Sequence, residues 1–328
     1  MPLIKTTTYQ SPGWLINGHW QTIYPNVFRS VKDVQYQRER IDTPDGDFLD
    51  LDWWKSTTKP TKRVVILSHG LEGNTDRPYI KGMAKAFYQN DWTVLAWNLR
   101  GCSEEDNRLL WAYHSGFTVD LATVVNHVLS LNDFEEIALV GFSLGGNLTL
   151  KYLGEQGEHI DPRITRAVTF STPVDLSSCA AELHKRHNFL YARRFLKSLK
   201  QKVKLKIDQF PDKLDKAILK HMKTLNDFDE LYTAPINGFE NAQDYYAKSS
   251  ARFFLDAIAI PTLIVNAQND TFLGAPCYPT EQVAKLDKVF LEVPTQGGHC
   301  GFTSANDAGR YWSEKRALTF VEQPDAKL

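Results

Sequence analysis

The chain has 328 residues, 42% hydrophobic and 23% charged, which excludes a disordered polypeptide and suits one large α/β unit. Its 38 Lys and Arg stand against 39 Asp and Glu, and the formal net charge of -1 argues against a globally basic nucleic-acid binder. The longest nearly apolar run, 257–265, is too short to span a bilayer, the first residues lack a signal-peptide core, and Cys102, Cys179, Cys277 and Cys300 form no CxxC pair, so a cytoplasmic protein with free thiols is expected.

Residues 11–28 are aromatic and loop-like. Two mixed segments, 35–42 and 47–54, flank the turn Thr43-Pro44-Asp45-Gly46 and predict a hairpin. Short apolar runs then alternate with longer helical stretches. Strands are expected at 64–67, 94–97, 137–140, 167–170, 263–265 and 289–293, most of them buried on both faces. Helices are expected at 79–89, 117–131, 144–155 and 306–320. Strand alternating with helix predicts an α/β fold with a mostly parallel sheet covered on both faces.

One stretch interrupts that alternation. From Pro173 to Ile260 no strand pattern is visible, and a structureless loop of that length does not suit a compact domain. The expectation is one domain over 1–328 with a helical cap inserted over 176–255. That insertion carries 15 Lys and Arg against 9 Asp and Glu, so the neutral total hides a basic part and an acidic remainder. Within it, residues 184–206 hold nine basic residues and no acidic one, with Phe189, Ala192, Leu196, Leu199 and Val203 at helical intervals. This predicts a cap helix with its apolar face on the site, and raises weak contact with an anionic membrane surface as a second role.

Gly141-Phe142-Ser143-Leu144-Gly145 fits G-x-S-x-G where an apolar strand meets a helix. The chemistry needs that spelling, because a tight turn pushes the serine out above the sheet and the helix aims free N–H groups at it. A serine hydroxyl needs a base, and the base needs an orienting group. Asp270 follows the 263–265 strand and His299 follows the next one, in TQGGHCGF. Ser143, Asp270, His299 is the chain order of α/β-hydrolases. Asp175, after an earlier strand, is the reserve candidate for the acid. His69-Gly70-Leu71-Glu72-Gly73 follows the 64–67 strand, and the N–H groups of Leu71 and Leu144 are assigned as oxyanion donors. His69 reads as structural, and Cys102 and Cys300 as small packed residues.

HGLEG (69–73), NLRGCS (98–103), YHSGFTVDL (113–121), GFSLGGN (141–147), NAQND (266–270) and GGHCGF (297–302) together resemble the YheT-like branch, or AB hydrolase family four, of the α/β-hydrolases. The opening GWLINGHWQT (13–22) resembles that family's amino-terminal segment, so the likeness covers nearly the whole chain. The resemblance implies a serine hydrolase acting on carboxylic esters, among relatives that use acylglycerols, phospholipids or medium-chain acyl esters. It implies the same triad on Ser143, Asp270 and His299. Thr271 stands where the family usually has proline after the acid. His127 and Asp133 lie one residue too far apart for the H-x4-D acyltransferase motif of some relatives.

The expected reaction is therefore hydrolysis of a small-molecule ester or lipid through an acyl-enzyme. Acyl transfer to an alcohol by the same triad, and a silent binding module on this fold, are the alternatives. No P-loop or dinucleotide fingerprint is present, so no cofactor is expected. His184 and His187 sit three apart on a basic helix without a third ligand, so no metal is expected either.

Overall fold

A computed structural model describes residues 2–56, 59–304 and 309–323. It begins with β1 (Leu3–Ile4), too short to leave a periodic signal, followed by helix α1 (Gly18–Phe28) in place of the loop expected at 11–28. The helix is concealed by an inverted pattern. Its buried residues are Gly18, Gln21, Thr22 and Pro25, while Trp20, Ile23, Val27 and Phe28 face outward. Periodicity locates a helix by an apolar face turned inward, and here that face is turned out. Asn17 starts it, its side-chain oxygen accepting the Trp20 N–H at 3.0 Å.

The expected hairpin forms as β2 (Gln37–Asp42) and β3 (Phe48–Trp54), closed by Gly46 at φ +86. Next come β4 (Arg63–Ser68), α2 (Pro78–Tyr88), β5 (Thr93–Trp97), α3 (Thr118–Ser130), β6 (Glu136–Phe142), α4 (Leu144–Gln156) and β7 (Ile164–Phe170). The sheet resumes only at β8 (Thr262–Val265) and β9 (Val289–Glu292). Between β7 and β8 the described chain is helical or irregular, with α5 (Leu176–His184), α6 (Phe189–Gln209) and shorter pieces to Ala242–Ser249. The terminal helix runs Trp312–Val321, later than the 306 start expected, and 306–308 lie outside the described residues.

The nine strands form one sheet in the order β1-β9-β8-β7-β6-β4-β5-β3-β2. Every pairing is parallel except those of β3 with β2 and β5. Alternation along β4 explains how helices cover both faces. Val64 and Ile66 enter one apolar cluster with α3 and α4, and Val65 and Leu67 enter the other with α2 and the terminal helix. Arg100, fully buried just after β5, meets Asp120 of α3 at 2.7 Å and Asp45 of the hairpin turn at 2.7 Å. The NLRGCS and YHSGFTVDL motifs thus meet in a buried ion cluster that fixes the loops at this end of the sheet.

Candidate active site

Ser143 occupies the junction of β6 and α4 with φ +52, a conformation costly for any residue but glycine. The turn is tight enough to require a glycine two residues on: a Cβ on Gly145 would lie 2.4 Å from the Ser68 carbonyl oxygen at the end of β4. The Ser143 N–H donates to the Phe170 carbonyl at 2.9 Å, tying the elbow to the end of β7.

The loops after β8 and β9 converge on it. Asp270 is buried and its Oδ1 accepts the Phe272 N–H at 3.0 Å, while its Oδ2 lies 2.8 Å from His299 Nδ1. His299 Nε2 lies 2.9 Å from Ser143 Oγ. A carboxylate can only accept, so Nδ1 carries the proton toward Asp270 and Nε2 is left to accept the serine hydroxyl. Phe272 packs against the imidazole with ring centroids 4.2 Å apart. Burial works against a charged imidazole, but the adjacent Asp270 carboxylate outweighs it and holds His299 above the ordinary imidazole value.

The fold brings Ser143, Asp270 and His299 into one hydrogen-bonded line, and sets Leu71 and Leu144 around the same cavity. Among the described residues, the N–H groups of Leu71 and Leu144 have no hydrogen-bond partner, whereas Gly70 N–H donates to the Tyr79 hydroxyl and Glu72 N–H to the Tyr113 hydroxyl. Asp175 is elsewhere employed. It accepts the Ser178 N–H at the start of α5 and pairs with Arg252 at 2.9 Å. His69 is buried, with Nδ1 2.8 Å from the Gly70 carbonyl and Nε2 accepting the Leu99 N–H at 3.1 Å, and burial lowers it to about 4. Cys300 donates its backbone N–H to Ser171. Among the described residues no cluster of three or more His, Cys, Asp or Glu is arranged around a metal position.

Sequence reasoning missed the residues that hold these loops. Gln21 of α1 accepts the Gly297 N–H at 2.7 Å and the Asn269 amide at 2.9 Å, so one side chain spans the histidine and aspartate loops. Thr22 accepts the His299 N–H at 2.8 Å. A Cβ on Gly18 would come within 2.1 Å of the Asn269 carbonyl oxygen, so α1 lies directly against the Asp270 loop. Glu72, beside Leu71, is a second hub. Its carboxylate receives the Tyr113 hydroxyl at 2.7 Å, Lys202 at 2.8 Å and the Ser198 hydroxyl, the last two from α6. Burial alone would raise Glu72, and Lys202 with these hydrogen bonds lowers it instead.

Two hollows meet at Ser143 and His299. One is a cavity of about 130 Å³ with mostly apolar walls, among them Leu144, Leu176, Phe195, Leu199, Phe228 and Leu273, and it also reaches Asp229 and Tyr246. The other, of about 270 Å³, is a cleft lined in part by Asn26, Glu72, Arg77, Arg194 and Ser198. The 184–206 stretch is not one helix. It breaks at Lys185, and α6 starts at Phe189. Leu199 and Val203 are buried as expected of the apolar face, but Phe189 is exposed, and Lys202 and Lys206 turn inward to Glu72 and the Asn107 carbonyl.

The model of the α/β hydrolase fold family matches residues 63–305. The chain is 35% identical to YheT of Escherichia coli strain K12, a candidate esterase, over 87% of this chain and 84% of that one. It is 30% identical to phospholipase ABHD3 of Mus musculus, over 91% and 74% respectively. For the monoacylglycerol lipase of Saccharomyces cerevisiae the identity is 26%, over 92% and 78%. Among solved structures, the Pyrococcus furiosus esterase Pf2001 shares the fold with a TM-score of 0.56 at 16% identity, covering 90% of this chain and 96% of that one.

Proposed function

Because the chain belongs to the α/β-hydrolase fold family, on the branch that includes YheT, we propose that it cleaves carboxylic esters through an acyl-enzyme on Ser143. The observation that carries this reading is the unbroken line of hydrogen bonds from Asp270 through His299 to Ser143, at 2.8 and 2.9 Å, beside an apolar cavity. The names of its relatives, esterase, phospholipase and monoacylglycerol lipase, agree with it.

In the proposed cycle His299 Nε2 takes the hydroxyl proton as Ser143 Oγ attacks the ester carbonyl. The new oxyanion accepts the N–H groups of Leu71 and Leu144, and the helix start at α4 favours the charge. Collapse breaks the C–O bond, and the departing alkoxide takes the proton back from His299. Water then enters, gives its proton to His299, and releases the acid by the same route. Asp270 keeps Nδ1 protonated and stabilises the imidazolium without taking the proton itself.

The 176–255 segment acts in this reading as the cap, contributing Leu176, Leu199 and Phe228 to the cavity wall. The acyl chain lies in that cavity and the alcohol portion in the adjoining cleft, where Asn26, Arg77, Arg194 and Ser198 supply polar groups, which suits short- to medium-chain acyl esters or acylglycerol-type lipids. The test is hydrolysis of p-nitrophenyl esters of rising acyl length by the wild type and by Ser143→Ala. The wild type is expected to turn over with a preferred chain length, and the variant to lose at least about 10³-fold in kcat while keeping its fold. Turnover retained in Ser143→Ala overturns the reading.

A further inference from the structure

Helix α1 presents its apolar residues to the outside. Trp20, Ile23, Val27 and Phe28 are between 37% and 64% exposed, and Trp14 and Ile16, just ahead of the helix, are 57% and 73% exposed. Rotation about the helix axis cannot hide them, because the opposite face is committed: Gly18, Gln21 and Thr22 are fastened to the loops that carry Asp270 and His299. An exposed group of large apolar side chains on one rigid element marks an interaction surface.

The start of α6 extends this surface. Phe189 and Leu190 are 58% and 76% exposed, and the His19 ring meets the Tyr191 hydroxyl at 3.2 Å. Ile23 and Val27 of α1 and Tyr191 and Arg194 of α6 line one cleft, the one that opens onto Ser143. Along the outer side of α6, Arg193, Arg194, Lys197 and Lys204 are exposed, and no carboxylate among the described residues pairs with them. Residues 13–29 contain no acidic side chain.

We propose that α1 and the amino-terminal half of α6 form a docking surface for an anionic lipid bilayer, with the mouth of the Ser143 cleft turned toward the lipid. The apolar side chains enter the boundary between headgroups and acyl chains, and the two tryptophans suit that depth. The flanking cations face the lipid phosphates. Charge selects this occupant over a second copy of the chain, since a twofold contact would set the same four cations against each other. The proposal enlarges the anionic contact expected at 184–206 and shifts its centre to α1, because Lys202 and Lys206 are spent inside. It goes beyond the ester-hydrolase reading and is tested without turnover.

The experiment is co-sedimentation of the full chain, carrying Ser143→Ala, with vesicles of phosphatidylcholine alone or mixed with phosphatidylglycerol. Strong binding to the mixed vesicles at low salt, falling at moderate salt, is expected, with weak binding to phosphatidylcholine. Each cation near such a surface contributes roughly fivefold, so adding Arg193→Ala, Arg194→Ala and Lys197→Ala should weaken anionic binding on the order of 100-fold. Trp20→Ser with Phe28→Ser should weaken binding to both vesicle types, with circular dichroism confirming an intact fold. No binding to mixed vesicles at low salt, or binding unmoved by either set, overturns the proposal. So does a wild-type dimer that Trp20→Ser with Phe28→Ser converts to monomer.

Discussion

Asp270 and Asp175 both follow strands of the sheet, and strand position favoured Asp270 as the acid with Asp175 in reserve. Their partners separate them. Asp270 meets His299 at 2.8 Å, whereas Asp175 is used by Ser178 and Arg252. In the proposed mechanism the reactive form is neutral His299, and Asp270 holds its protonated form stable above the ordinary imidazole value. kcat/KM should therefore rise with pH along a limb lying above that ordinary value. Asp270→Asn removes the charge while burial remains, so the limb should move to lower pH and kcat should fall by roughly 10³–10⁴-fold. Asp175→Asn should leave both the limb and kcat near wild type. A pH–rate series on the three proteins checks this, and an unmoved limb in Asp270→Asn would show that another group orients the histidine. The three candidate residues were legible in the sequence because each stands just after a strand, in the order this fold uses. The proposed oxyanion donors, Leu71 and Leu144, were assigned from their places after the 64–67 strand and at the elbow, since a backbone N–H leaves no letter of its own.

At the scale of elements, buried strands and inward-facing helices were readable from apolar periodicity, as at 64–67 and 144–155, which form β4 and α4. Helix α1 was not, because it buries Gln21 and Thr22 and exposes Trp20 and Phe28. Its buried polar residues serve contacts more than 200 positions away, which local patterns cannot encode. The energetic reason for placing them inside is satisfaction: the Gly297 N–H and the Asn269 amide would lose an acceptor without the Gln21 carbonyl. Gln21→Ala should thus cost about 1–3 kcal/mol of stability. If α1 positions the two loops as their bonding suggests, the same change should lower kcat by roughly 10–100-fold with KM little altered. Urea unfolding with steady-state kinetics tests it, and a stability loss with unchanged kcat would leave α1 as packing alone.

For the molecule as a whole, a net charge of -1 conceals a basic segment at 176–255 set on an acidic remainder. The lack of strands between β7 and β8 was legible in the sequence, but not which way the cations of 176–255 point. Lys202 is drawn to Glu72 beside Leu71, so the segment over the cavity is bonded directly to the loop proposed to hold the oxyanion. The parallel sheet brings the loops after β4, β6, β8 and β9 to one end, and that convergence places Ser143, the proposed nucleophile, within 2.9 Å of His299 Nε2. Cys300 lies beside His299 in the chain but is buried, in keeping with its reading as a small packed residue. The most direct measurement is therefore peptide mass spectrometry after labelling the native protein with a fluorophosphonate. A single adduct on Ser143, absent in Ser143→Ala, is the predicted result, and an adduct on Cys300 or another serine, or no adduct at all, would contradict it.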